Sequence, residues 1–261
     1  MKSGKRKKLP DSYKVRGYRQ LTQAEGLVSS YVKIKETDLH IQADREIQRR
    51  AEEIVLYCRL QLEDYILRNP SFYTSLAPLP KDFTAPPLIQ AMFDAGRKAG
   101  VGPMAAVAGG IAEFVGLKLM AEGVGEIIIE NGGDIFLSRC QPVQLAIFAG
   151  ISPLSNNVGL ELVPPMPWAV CTSSGTVGHS LSLGQADSVT VVARSAYLAD
   201  AAATRLGNEV CPGSDMKKSV KKTLAVAETI EGVVGAVVIC GEVLGAVGEV
   251  KLIRIEQGSR S

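Results

Sequence analysis

The chain has 261 residues, 46% of them hydrophobic and 21% charged, a globular composition with room for one large domain or two small ones. Its net charge is +2, but residues 1–19 hold eight Lys or Arg against Asp11, a balance of +7, so the remainder carries −5. A mildly acidic body behind a basic tail excludes the footprint of a nucleic-acid-binding domain, and the uncharged stretch 140–160 is too broken by Pro142, Pro153, Asn156 and Asn157 to be a membrane span.

The Lys5–Lys8 run reads as a solvated, mobile end, so residues 1–20 are expected to form a tail, 21–255 a single domain and 256–261 a second short tail. The start has no apolar run of the signal-peptide kind. The five cysteines (Cys58, Cys140, Cys171, Cys211, Cys240) are dispersed without any C-x-x-C. Both features point to free thiols in a reducing, cytoplasmic compartment.

Residues 31–35 and 38–43 alternate at period two around Glu36-Thr37, which predicts a hairpin. The alternation puts His40 on the polar face with Asp38 and Gln42, as a surface residue. Asp44 is placed to cap a helix bearing Ile47, Ala51, Ile54, Val55, Cys58, Leu62, Tyr65 and Ile66 on one stripe, ended by Asn69-Pro70. Four prolines between Pro78 and Pro87 then mark a loop, followed by a helix with Leu88, Ile89, Met92 and Phe93 inward. Gly102-Pro103 opens a helix over 103–121 that is apolar nearly all round, the pattern of a buried helix. Glu113 is its only charge before Lys118. A buried carboxylate needs a partner, whether a helix end or a ligand site.

Residues 126–130 form a strand ending in the turn Asn131-Gly132-Gly133-Asp134, whose glycines allow positive φ and close backbone approach. Segments around 143–150, 157–163, 168–172 and 188–193 read as further strands. A helix starts near Ala196, and 216–229 reads as a basic-faced surface helix. Residues 233–240 and 243–247 pair around Gly241-Glu242, and 249–255 adds a last strand. Helices clustered between antiparallel strand runs indicate α+β.

Residues able to do chemistry gather on either side of the 188–193 strand. Asp200 and Thr204, four apart in an alanine-rich helix, share a face and offer two hard oxygen ligands of the kind Mg²⁺ or Ca²⁺ prefers. A cap or dipole partner is the other reading of Asp200. Upstream, residues 171–180 crowd hydroxyls, glycines and His179 together. Thr172, Ser173, Ser174, Gly175 and Thr176 present hydroxyls and amides suited to phosphate. His179 titrates near neutrality and is the natural general base, with a structural role as its alternative. A serine hydrolase is not indicated, since no G-x-S-x-G elbow surrounds Ser174.

Three elements in this order resemble the ApbE superfamily, the Mg²⁺-dependent FAD:protein FMN transferases and their relatives. They are Val107-Ala108-Gly109-Gly110-Ile111-Ala112, the Asn131–Asp134 turn, and Thr172–Gly175 followed by the helix through Asp200 and Thr204. Residues 101–113 and 175–180 are similar, more narrowly, to an uncharacterised prokaryotic branch of it. The resemblance covers roughly residues 100–255 and implies a T-fold-related α+β fold of largely antiparallel sheets packed with helices. It implies Mg²⁺ at Asp200, Thr204 and the Ala112 carbonyl. FAD or FMN is then expected beside Asn131, Gly132, Gly133 and Asp134 and along residues 172–176, with an acceptor protein as partner. Two departures stand out: Glu113 occupies the position of the transferases' lysine, and Ser180-Leu181 follows His179 where they carry an Asp-Pro type turn. Glu113 beside the phosphates is expected to weaken FAD binding and make it strongly Mg²⁺-dependent. A lysine there is expected to strengthen it. A non-catalytic nucleotide-binding or scaffold protein is the alternative reading, and a homo-oligomer stays open.

Overall fold

A computed structural model describes residues 25–174, 186–210 and 215–255. Strands β1 (Val28–Ile34) and β2 (Thr37–Ala43) form the first hairpin, followed by α1 (Gln48–Arg68), α2 (Pro70–Thr74) and α3 (Pro87–Ala99). A 3₁₀ turn (Pro103–Ala106) leads into α4 (Val107–Ala121). Then come β3 (Ile127–Asn131), β4 (Asp134–Ser138), β5 (Val143–Ala146), β6 (Val158–Leu162), β7 (Trp168–Ser173) and β8 (Ser188–Ala193). Helices α5 (Ala196–Glu209) and α6 (Met216–Ala227) precede β9 (Val233–Cys240), β10 (Val243–Gly248) and β11 (Lys251–Arg254).

Eight strands form one antiparallel sheet in the order β1-β2-β3-β4-β7-β8-β9-β10, and β11-β6-β5 form a second, smaller sheet. Successive strand residues face opposite ways, and here both faces are covered. Ile127, Ile129, Phe136, Cys171, Val191 and Val238 join the helices in one core. Ile128, Leu137, Val170, Val192 and Val237 point the other way, onto Val143, Leu145, Leu160 and Leu162 of the small sheet. A sheet buried on both sides reads as a continuous apolar run rather than an alternation, which is why every residue of β3 and β8 is buried.

The architecture is α+β with largely antiparallel sheets, as the sequence indicated, but three local expectations change. His40 is only 3% exposed. It lies between its cross-strand partners Tyr31 and Glu130, with its ring stacked on that of Tyr31 at 4.6 Å. Alternation placed it on the correct face without revealing that this face is covered.

Asp44 does not cap α1. Its Oδ2 accepts from the backbone N–H of Gly125 (2.7 Å) and of Glu126 (3.3 Å), tying the end of β2 to the start of β3. Glu46 serves the helix start instead, its Oε1 accepting from Gln48 N–H at 2.9 Å.

The 103–121 segment is not a uniform buried helix. It starts as the 3₁₀ turn, and Leu117 is 47% exposed. By length and composition this segment could cross a bilayer. It packs instead against α1, α3, α5, β3 and β4.

Candidate functional site

The chemistry-bearing residues meet on the helix-covered face of the large sheet, where the β3–β4 turn, the end of β7 and the first turns of α4 and α5 converge. Gly132 and Gly133 turn the chain at φ 67° and 108°, so that Asn131 and Asp134 pair across the hairpin. Both are buried and fall on the face of Ile129 and Phe136. Glu130 braces the turn, its Oε1 accepting from Gly133 N–H at 2.8 Å. Asn131 Nδ2 donates to the Ala108 carbonyl at 2.9 Å, joining the turn to the start of α4.

Helices α4 and α5 cap one another. Asp200 Oδ2, on α5, accepts from the N–H groups of Ala108 (3.1 Å) and Gly109 (2.9 Å), two first-turn amides of α4 that lack a partner within their own helix. Glu113 Oε2, on α4, accepts from Ser195 Oγ (2.9 Å), Ala196 N–H and Tyr197 N–H (3.3 Å) at the start of α5. The exchange requires close approach of two antiparallel backbones. A Cβ on Gly109 would lie 2.3 Å from the Ala196 carbonyl oxygen, and one on Gly110 would lie 2.5 Å from the Tyr197 ring.

Asp134 and Asp200 are therefore brought together from 66 residues apart in sequence. Burial holds the Asp134 carboxyl well above the ordinary carboxylate range, and repulsion from Asp200 adds to it. Asp200 is pushed up to about 7 by burial, against the opposing pull of the Gly109 and Ala108 amides. Burial and the two carboxylates raise the Cys171 thiol as well. It stays protonated, and its S–H donates to the Ala196 carbonyl oxygen, 3.6 Å from the sulfur. Two carboxylates in one low-dielectric space require a proton or a cation between them.

The predicted residues fall into four groups. Asn131, Gly132, Gly133, Asp134, Ser173 and Asp200 gather at this end of the sheet. Ser173 is 7% exposed, and its Oγ has no hydrogen-bond partner among the described residues, an orphaned polar group of the kind a ligand satisfies. Ser174 follows at the end of β7. Thr172 contributes only its backbone, donating N–H to Asp134 Oδ1 at 3.3 Å. Its hydroxyl projects to the opposite face of the sheet, 3.0 Å from Thr190 Oγ1. Gly175, Thr176 and His179 lie outside the described residues.

Ala112 is buried within α4, and Thr204 is half-buried one turn beyond Asp200 on α5. Among the described residues, no three His, Cys, Asp or Glu side chains converge as a ready-made metal shell. The Asp134–Asp200 pair still fits a divalent cation by its donor chemistry and its unrelieved repulsion.

Sequence reasoning placed Asp134 by its turn and Asp200 by its helix, and missed that they form a pair. It passed over the Cys171 side chain altogether. The available signal was the period-two face shared by Cys171 and Ser173 along β7.

Comparison with known proteins agrees with this architecture. A family model described as AbpE bacteria matches residues 19–252. A UPF0280 protein of Methanococcus maripaludis is 41% identical over 231 residues, spanning 87% of this chain and 93% of its own. A UPF0280 protein of Methanothermobacter thermautotrophicus is 46% identical over 197 residues, spanning 75% of this chain and 76% of its own. Among solved structures, the apo form of the flavinyl transferase ApbE of Pseudomonas stutzeri aligns with a TM-score of 0.55 at 16% identity, over 85% of this chain and 94% of that one. The ApbE protein of Thermotoga maritima gives 0.52 at 13% identity, over 85% and 97%. At such identities the likeness shows the fold alone.

Proposed function

Since the chain belongs to the AbpE bacteria family and shares the fold of the ApbE flavin transferases, we propose that it binds the pyrophosphate of a flavin dinucleotide, FAD, through a divalent cation, Mg²⁺, and transfers or hydrolyses at that pyrophosphate. The observation that carries this reading is the Asp134–Asp200 pair. Two neighbouring carboxylates, both raised by burial and Asp134 further by Asp200, are a ready acceptor for a cation, and Mg²⁺ prefers carboxylate oxygen. Mg²⁺ bound there supplies charge neutralisation on phosphate oxygens.

The protein's own groups supply the rest. Asp200 is held in place by the Ala108 and Gly109 amides, and Asp134 by Cys171 and the Thr172 amide. Fixed carboxylates hold a cation without reorganisation during reaction, the condition under which electrostatic stabilisation is largest. The Ser173 hydroxyl, without a partner among the described residues and on the same face of β7 as Cys171, supplies a donor for a phosphate oxygen. Thr204, one turn beyond Asp200, adds a hydroxyl on the side toward the 3₁₀ turn.

The test is direct. Purified protein incubated with FAD and Mg²⁺ is expected to release FMN and AMP, or AMP with flavin left on an acceptor protein, and Asp200→Asn to release neither. A second reading, a non-catalytic flavin or nucleotide binder, is favoured by one observation: Glu113 stands where the resemblance places a lysine, and it is engaged by α5. Binding of FAD with no FMN or AMP formed would select that reading.

A further inference from the structure

Helix α6 keeps Val220, Thr223 and Ala227 on its buried side, packed over β9, β10 and α5. Its outward face is formed by Lys217, Lys218, Lys221 and Lys222, all exposed, with the exposed Ala225 following them. These lysines stand at i,i+3 and i,i+4 spacing, where like charges repel one another. They also lie at the start of the helix, where the dipole is positive and disfavours cations. Asp215 caps this end, but its Oδ1 accepts from the backbone N–H groups of Lys217 and Lys218. Lys222 reaches Glu209 at 3.6 Å, and among the described residues no carboxylate pairs with Lys217, Lys218 or Lys221. The arginines of α1 give the contrast, since Arg49, Arg50, Arg59 and Arg68 each pair with a carboxylate.

An unbalanced positive face on a body that carries −5 calls for an anion. The segments outside the described residues hold only Asp11 and Glu256 as acids, so the chain does not supply an acidic stretch of its own. The kind of anion follows from what the face lacks. It has no arginine fork for bidentate phosphate and no aromatic ring for a base to stack on. It also has no large apolar side chain to enter a bilayer. What it offers is a row of flexible point charges on a convex helix surface, which suits carboxylates spread along a protein segment.

We propose that the outward face of α6 docks an acidic segment of a partner protein, whose carboxylates meet Lys217, Lys218, Lys221 and Lys222. Helix α6 lies over β9 and β10, two and three strands from β7 in the sheet order, roughly 10–15 Å across the sheet. The docking face is therefore separate from the Asp134–Asp200 pair, and it stands whether or not that pair holds a flavin.

Fluorescence anisotropy of a labelled helical peptide with glutamates at i,i+4 spacing, titrated with the full chain at physiological salt, tests this. Wild type is expected to bind the peptide. The combined variant Lys217→Glu, Lys218→Glu and Lys221→Glu is expected to bind at least about tenfold more weakly, with an unchanged or raised Tm because glutamate suits a helix start. Replacing Lys5, Lys7 and Lys8 of the basic tail by serine is expected to cost less than the α6 variant does. Phosphatidylglycerol vesicles and a single-stranded oligonucleotide, titrated in parallel, are expected to lose less affinity than the peptide when α6 is changed. No peptide binding by wild type, equal binding by the α6 variant, an equal loss from the tail variant, or a larger loss for vesicles or oligonucleotide would each overturn the proposal.

Discussion

Exchanging Glu113 for lysine recreates the residue that the resemblance to the transferases calls for, and charge alone suggests that it should help an anionic ligand bind. The structure gives it a different outcome. Glu113 Oε2 accepts from Ser195 Oγ at 2.9 Å, from Tyr197 N–H at 3.3 Å and from Ala196 N–H. Lysine has no acceptor, so all three donors lose their partner, and a cation is set at the positive end of the α5 dipole.

A hydrogen bond to a charged acceptor contributes ~1.5–3 kcal/mol. Part of the loss is returned because the carboxylate is itself penalised by burial, which raises its pKa. The net loss is then about 3 kcal/mol, roughly one to two such bonds, with ~0.5–1 kcal/mol more from the dipole. In a chain of this size ~1 kcal/mol moves Tm by about 2–4 °C. Glu113→Lys is therefore expected to melt roughly 7–15 °C below wild type, and Glu113→Gln, which keeps a neutral acceptor, only about 2–6 °C below. Thermal melts followed by circular dichroism, with FAD titrations on the same samples, measure both consequences. A lysine variant as stable as wild type that binds FAD more tightly would show that Glu113 faces the ligand and not α5.

Asp200→Asn keeps an acceptor for the Ala108 and Gly109 amides, so its Tm without metal should stay close to that of wild type. Asp200→Ala should lose a further ~1–2 kcal/mol as an uncapped helix start, and melts of the two variants in EDTA compare them. Gly109→Ala places a Cβ 2.3 Å from a backbone oxygen of α5; the helices must part, at a cost of ~1–3 kcal/mol or more, and an unchanged melting curve would contradict the packing. The raised carboxyls also set a pH dependence. The folded, metal-free protein binds more protons than the unfolded chain between the ordinary carboxylate range and about 7, so stability from this pair is greatest at acid pH and declines as pH rises through that window. Tm measured in EDTA should fall accordingly, and Asp134→Asn should flatten the fall.

Local periodicity carried most of the fold. The 188–193 strand, the 233–240 hairpin arm and the glycine turn at 132–133 lie where their residues place them, because β-branched runs and positive-φ glycines are local signals. His40 was misplaced for a simple reason: alternation assigns a side chain to a face but not to what covers that face, and here Tyr31 of the neighbouring strand stacks on it. Asp200 was legible as a polar residue on an apolar helix, and Glu113 as a buried charge that needs a partner. Their reciprocal capping was not legible, since it depends on Gly109 and Gly110 letting two helices meet across more than 80 residues of chain. The Asp134–Asp200 pair was hidden in the same way, its members lying on elements whose contact only the sheet order creates.

The account rests on a cation at Asp134 and Asp200 that joins the protein to a flavin pyrophosphate. The most direct test is calorimetric titration of FAD into wild type and Asp200→Asn, each with saturating Mg²⁺ and again in EDTA. Wild type should bind FAD with Mg²⁺ and lose at least about tenfold in affinity, ~1.4 kcal/mol, in EDTA, whereas Asp200→Asn should bind equally weakly in both. Equal affinity of the wild type with and without Mg²⁺, or an undiminished Mg²⁺ effect in Asp200→Asn, would contradict it.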